Sequence, residues 1–212
     1  MKLYGYWRSS AAYRVRIALH LKKLSFDSIP VHLVKNGGEQ HSADYVELNP
    51  THLVPSFVDE NITLNQSLAI IDYLDEKFPK NSVYPANLIT KMQVKALSYD
   101  VACEIHPVNN LRVQQYLVNE LGATEVQKLA WSHHWMALGF AAIEKKLAES
   151  AGLYCFGNEV TLADICLIPQ VYNAVRFKLD MSPYPLINAV VENCNKLPAF
   201  IDALPENQPD AT

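Results

Sequence analysis

The stretch YWRSSAAYRVRIALHL, residues 6–21, joins an aromatic segment to an amphipathic run, with Ser9 and Ser10 at the junction. Upstream, KLYGYW (2–7) has the content of a short strand. Downstream, AAYRVRIALHLKKL (11–24) carries Val15, Ala18 and Leu19 on an apolar side, while Arg16, His20 and Lys23 recur at helical spacing on a polar one. A strand therefore feeds a helix, with the serines at the helix's amino end.

That position has chemical meaning. The first turn of a helix leaves backbone N–H groups unpaired and carries a partial positive charge, so Ser9, Ser10 and the following amides can donate to an anion. The structural alternative is that one serine is simply the N-cap.

Working outward, FDSIPVHLV (26–34) alternates Ile29, Val31 and Leu33 against Pro30 and His32, which predicts a second strand, parallel to the first across the helical crossover. VPSFVDENITL (54–64) reads as a hairpin turning at Asp59, Glu60 and Asn61. NQSLAIIDYLDEKF (65–78) spaces Leu68, Ile71, Leu74 and Phe78 as a helix that Pro79 ends. The order β, α, β, then β, β, α is a thioredoxin-like arrangement, and the polar connection KNGGEQHSADYVELNP (35–50) is expected to hold a helical turn. PKNSVYPAN (79–87) marks the boundary. Beyond it, ITKMQVKALSYDVACEI, EVQKLAWSHHWMALGFAAIEKKLAES, TLADICLIPQVYNAVRF and YPLINAVVENCNKL all have helical texture. The expected fold is an α/β thioredoxin-like domain over 1–80 followed by an all-α domain over 88–212.

With 212 residues, 50% of them hydrophobic, the chain can bury a substantial core. A net charge of -4 with dispersed Lys and Arg offers no footprint for nucleic acid or an anionic membrane. Cys103, Cys155, Cys166 and Cys194 lie far apart without a CxxC pair, which fits free thiols in a reducing compartment and so the cytoplasm. Arg8, Ser9 and Ser10 interrupt the first apolar residues, so no signal peptide is expected, and no run approaches the roughly 20 apolar residues of a membrane span.

Further candidates are scattered. Val54-Pro55 opens a strand, where proline has no ladder donor to lose, and a cis bond there would present the Val54 backbone to a ligand. Gln66 and Ser67 begin a helix whose amides can hold a carboxylate. In EIHPVNNLRV (104–113), His106, Asn109, Asn110 and Arg112 fall on a predicted helix, His106 and Asn110 on one side; a bend at Pro107 is the structural reading. Arg8, Arg112 and Arg176 carry guanidinium forks that match carboxylates. Thr161 and Asp164 fit a capping box. His133 and His134, adjacent on a helix, point about 100° apart with no acid or cysteine at ligand spacing, so no metal site is expected.

Together these pieces resemble a known family. RSSAAYRVRIAL (8–19) is similar to the zeta-class glutathione transferase signature, in which two serines and a cysteine precede an Arg-Val-Arg-Ile-Ala-Leu helix. NPTHLVPSF, NQSLAIIDYL, GNEVTLADICLIPQV and RFKLDMSPYP resemble the same family in order, from Leu3 to about Pro198. The resemblance implies the glutathione transferase fold, a homodimer, glutathione as cofactor, and cis/trans isomerisation of maleylacetoacetate in tyrosine and phenylalanine breakdown. It also implies a glutathione site of Ser9, Ser10, Ala11, Gln40, the Val54 backbone before a cis Pro55, Gln66, Ser67, His106, Asn110, Leu111 and Arg112.

One departure matters: Ala11 stands where the signature has cysteine. A mechanism needing that thiol is excluded, whereas one using glutathione's own thiol is untouched. Ser9, with Ser10 as second choice, is expected to donate a hydrogen bond to the sulfur rather than take a proton, since no His or Asp adjoins it in sequence. Arg8, Arg112 and Arg176 are expected to bind a small dicarboxylate substrate. His106 and Asn110 in HPVNNLRV are similar to bacterial members that include maleylpyruvate isomerases. Maleylpyruvate isomerisation, glutathione transfer to small α-halo acids and a noncatalytic glutathione-fold binding protein are the alternatives.

Overall fold

The computed structural model describes Met1–Thr212 and divides into two compact units, Met1–Val83 with Lys196–Thr212, and Tyr84–Asn195. The first contains β1 (Lys2–Gly5), α1 (Ser10–Leu21), β2 (Asp27–Pro30), 3-10 turns at Lys35–Gly37 and Glu39–His41, α2 (Ala43–Leu48), β3 (Ser56–Asp59), β4 (Ile62–Asn65) and α3 (Ser67–Lys77).

The sheet order is β2-β1-β3-β4, with β1 and β2 parallel and the other pairs antiparallel. Register decides where the chain leaves the sheet. Gly5 pairs with Pro30, Tyr4 with Ser56, and Ser56 with Asn65. The carboxyl ends of β1, β2 and β4 therefore meet the amino end of β3 at one edge. The segments beginning at Tyr6, Val31 and Gln66, and the one ending at Pro55, all attach there. A Cβ on Gly5 would lie 3.1 Å from Ala12 Cβ, so glycine lets α1 sit close on β1.

β2 stops at Pro30 instead of continuing to Val34. The cause is His32, whose Nδ1 accepts from the N–H groups of Val34 at 3.2 Å and Lys35 at 2.9 Å and so turns the chain. The polar side expected on α1 is corrected at Arg16, which is buried, while His20 is half-buried and Lys23 exposed. Arg14 and Arg16 are only 1% and 3% exposed, held by polar partners within the unit. Arg14 Nη1 donates to Ser67 Oγ at 3.3 Å, and Arg16 donates to the carbonyls of Trp7 and Ala203 at 3.0 and 3.1 Å. Lys22, likewise buried, donates to the carbonyls of Phe78, Lys80 and Asn81 and pairs with Asp75 at 2.8 Å, closing the carboxyl end of α3. Burial pushes the Asp75 carboxyl up, but bonds from Lys22, the Val83 N–H and Ser82 outweigh it and hold it below the ordinary carboxylate value.

The second unit contains α4 (Leu88–Tyr99), a π-turn over Asp100–Ile105, α5 (His106–Val108), α6 (Leu111–Asn119), α7 (Glu125–Ser150), α8 (Leu162–Arg176) and α9 (Pro185–Cys194). Its core includes Val94, Leu97, Met136, Phe140, Ile143, Ile165 and Ile187. The helix expected through His106 and Asn110 is broken. Asn109 adopts φ -105, ψ 5, and Asn110, at φ -64, ψ 148, caps α6 by accepting from the Arg112 N–H at 3.1 Å. His106 and Asn110 thus belong to different elements, because an asparagine side chain competes with the helix for backbone donors.

The remaining helix, α10 (Pro198–Asp202), packs on α1 in the first unit and buries Phe200 and Ala203. The expected domain 88–212 therefore loses its last residues to the first unit. Helical periodicity states that a face is apolar, not which surface covers it.

Candidate active site

The amino end of α1 is built around Ser9. It is the N-cap (φ -70, ψ 115), and its Oγ accepts from the Ala12 N–H at 3.2 Å. The hydroxyl hydrogen remains available for donation outward. Ser10 and Ala11 follow as buried first-turn residues, and that turn contains no acidic residue. Arg8 is exposed, its guanidinium 4.0 Å from the Trp7 ring centroid.

At the same sheet edge, the Val54-Pro55 peptide is cis. Its upstream neighbour is clamped: the Leu53 carbonyl accepts from Tyr45 OH at 2.6 Å and from Asn49 Nδ2 at 2.9 Å. Both side chains also bond Ser56 Oγ, at 2.9 and 3.1 Å, and Asn65 Nδ2 donates to Asn49 Oδ1 at 3.2 Å. Burial pushes the Tyr45 phenol up, so it stays a protonated donor. Tyr45 and Asn49 were not among the sequence candidates; the Asn-Pro dipeptide at 49–50 marks a turn, but not the clamp.

Gln40 is buried, with Nε2 3.4 Å from the Leu33 carbonyl oxygen and 3.1 Å from His41 Nε2. An amide nitrogen only donates, so His41 Nε2 accepts and its proton sits on Nδ1, which donates to His52 Nδ1 at 3.0 Å. Gln40 Oε1 is buried and has no partner in the protein. Gln66, capping α3, has φ 66 and ψ 110, a left-handed backbone that costs a non-glycine residue about 1–3 kcal/mol and is concentrated at functional sites. Ser67 is buried at the first position of α3.

The remaining candidates lie in the second unit. His106 is half-buried at the end of the π-turn, a feature frequent at functional sites. That turn depends on Gly139, where a Cβ would fall 2.3 Å from Ile105 Cδ1. Leu111 is half-buried and Arg112 exposed, at the start of α6. Arg176 is exposed at the end of α8, where its Nη2 donates to Asn173 Oδ1 at 2.9 Å and its guanidinium lies 4.3 Å from the Phe177 ring centroid. His133 Nε2 donates to the Phe177 carbonyl at 2.7 Å, which fixes the end of α8; His134 packs edge-on against Trp135. Thr161 donates to Asp164 Oδ2 through its N–H at 2.8 Å and its hydroxyl at 3.0 Å, the expected capping box.

Cys155, Cys166 and Cys194 are buried free thiols, and burial pushes those of Cys155 and Cys194 well up, away from nucleophilic use. The second unit also has a cavity of about 550 Å³ lined by residues such as Gln93, Lys146 and Phe156, with none of the candidates in its wall. No helix is long and apolar enough to cross a membrane.

Comparison with known proteins gives this geometry a context. Residues 3–82 match the family model for the glutathione S-transferase N-terminal domain, and residues 136–198 match that for the C-terminal domain. A Vibrio cholerae protein named "probable maleylacetoacetate isomerase" is 54% identical over 209 residues, covering 99% of this chain and 97% of that protein. The holo structure of a maleylpyruvate isomerase, a bacterial glutathione S-transferase of the zeta class, superposes with a TM-score of 0.97 at 43% identity, covering 100% of both chains. A maleylacetoacetate isomerase from Methylobacterium extorquens AM1, solved with bound malonate and glutathione, superposes with a TM-score of 0.96 at 34% identity, again covering 100% of both.

Proposed function

The chain belongs to the glutathione S-transferase family, in its zeta class, and on that premise we propose that it isomerises the cis double bond of maleylacetoacetate to give fumarylacetoacetate, with glutathione as cofactor. The observation that carries this reading is the amino end of α1, where the half-buried Ser9 caps the helix through its Oγ, its hydrogen is left to donate, and the first turn contains no acid of the chain's own.

The residues fit glutathione. The α1 end suits a thiolate, the α3 end at Gln66 and Ser67 suits a carboxylate, and the orphaned Gln40 Oε1 suits an amide N–H. When bound, glutathione supplies a thiol that adds to the alkene, leaves a single bond free to rotate, and departs. Ser9 donates to the sulfur and, with the helix end, favours its anion; Ser10 assists. No histidine or carboxylate is bonded to Ser9, so it acts as a donor and not as a base. Tyr45 and Asn49 hold the strand that offers the Val54 backbone beside Pro55. In the second unit we assign His106, Asn110, Leu111 and Arg112 to glutathione. Arg176, with Arg8 and Arg112, we assign to the carboxylates of the substrate. Free thiols at all four cysteines support a cytoplasmic protein, and the family premise supports a homodimer.

The 0.97 superposition on a maleylpyruvate isomerase favours one second reading, in which the shorter dicarboxylate is preferred. Assay of both substrates, with and without glutathione, separates the two. Turnover that requires glutathione and is more efficient with maleylacetoacetate is expected. Higher efficiency with maleylpyruvate transfers the assignment to that substrate, and turnover without glutathione overturns the mechanism.

A further inference from the structure

We propose that the closing segment Lys196–Thr212 is a working part of the active-site scaffold, with Asp210 a positioning residue that fixes, through the Trp7 N–H, the loop presenting Arg8 and Ser9. The proposal rests on the functional reading above and adds to it a residue 203 positions away in sequence.

Trp7 precedes Arg8 directly, and both polar groups of its backbone are held from outside the loop. Asp210 Oδ2 accepts from its N–H at 3.1 Å, and Arg16 Nη2 donates to its carbonyl at 3.0 Å. Arg16 also donates through Nε to the Ala203 carbonyl at 3.1 Å, so one guanidinium ties the loop to the closing segment. Within the loop, the Ser9 N–H donates to the Tyr6 carbonyl at 2.8 Å. Trp7 is 5% exposed, and its ring carries the Arg8 guanidinium on its face. With both peptide planes around Trp7 pinned, the backbone that enters the Ser9 cap has little freedom to rotate, and the direction of the Ser9 hydroxyl follows from it.

The support is itself ordered. Gln208 Nε2 donates to the carbonyls of Leu204 at 2.8 Å and Asp202 at 3.0 Å, and Asn207 Nδ2 to that of Ile201 at 2.7 Å. The Ala211 N–H returns to the Gln208 carbonyl at 3.0 Å, so Asp210 sits inside a closed turn. A carboxylate accepting a backbone N–H makes a stronger, more directional tie than a neutral acceptor. Small displacements of a reacting group's support are costly in rate.

The test uses the full chain with Asp210→Ala and Asp210→Asn, and a chain ending at Gln208. Each is titrated with glutathione by thiolate absorbance and assayed for kcat and KM. For Asp210→Ala and the shortened chain, the bound thiol should titrate at higher pH and kcat/KM should fall about tenfold. Asp210→Asn, whose Oδ1 still accepts from Trp7, should recover most of both. Wild-type titration and kcat/KM in Asp210→Ala and the shortened chain overturn the proposal, as does Asp210→Asn behaving like Asp210→Ala. If the wild type binds no glutathione thiolate, the functional reading falls and this proposal with it. If the wild type lowers the thiol pKa and Asp210→Ala lowers it equally, only this proposal falls.

Discussion

Two helix amino ends in this molecule solve the same electrostatic problem in opposite ways. At α8 the chain fills the anion seat itself: Asp164 accepts from the Thr161 N–H and hydroxyl through one oxygen and from the Cys155 N–H at 2.8 Å through the other, and the group is fully buried. At α1 the first turn contains no acid, and Ser9 Oγ accepts one N–H while keeping its own hydrogen to give. An internal carboxylate makes a helix end inert; omitting it leaves a place where a ligand's anion completes the cap.

The largest expected effect breaks the closed end. Asp164→Ala leaves its buried donors unpaired and should cost about 3 kcal/mol in urea unfolding; a loss below about 1 kcal/mol would mean that the seat is not structural. At the open end, Ser9→Ala should lower kcat/KM about 100-fold and raise the pKa of the bound thiol, with Ser10→Ala milder. Equal activity in the two serine variants would remove the distinction drawn between them. Ala11→Asp gives α1 the carboxylate it lacks, so glutathione affinity should fall about tenfold by competition and like-charge repulsion. Unchanged affinity would show that the seat lies elsewhere.

The smallest effect is one of sign. Burial pushes the Asp164 carboxyl above its ordinary value, against the opposing pull of its hydrogen bonds. Its contribution to stability is therefore fully present below the unfolded-state pKa and declines as pH rises through the folded one. Asp59, held low by its bond from Lys77, and Asp75 run the other way: their contributions are present above the unfolded-state pKa and lost as pH falls through the folded value. Unfolding free energies between about pH 3 and 7 should show Asp164→Asn removing the first dependence and leaving the second.

Legibility in the sequence followed the range of the interactions. The strand–helix junction, the hairpin at Asp59–Asn61 and the helix over 125–150 rest on local periodicity and turn residues, and the structure has them at those places. The hydroxyls of Ser9 and Thr161 were legible because N-caps have a compositional signature. What escaped was held by distant partners or by polar side chains acting on backbone. His32 shortens β2, Asn110 starts a new helix, Tyr45 and Asn49 brace Leu53, and Gln66 takes a positive φ without being glycine. Gly139 and Ile105 lie 34 positions apart on separate elements, and nothing in either neighbourhood announces the fit.

The assignment of Lys196–Thr212 to the first unit has a consequence for synthesis. In topology the helical unit is an insert: the chain leaves the sheet-bearing unit at Val83 and returns at Lys196. While the ribosome is making the intervening helices, the nascent first unit lacks the cover that Phe200 gives α1 and the carbonyl of Ala203 that Arg16 requires. An incomplete apolar face is aggregation-prone until it is covered. The sheet-bearing unit, begun before the helical one, is thus completed only after it.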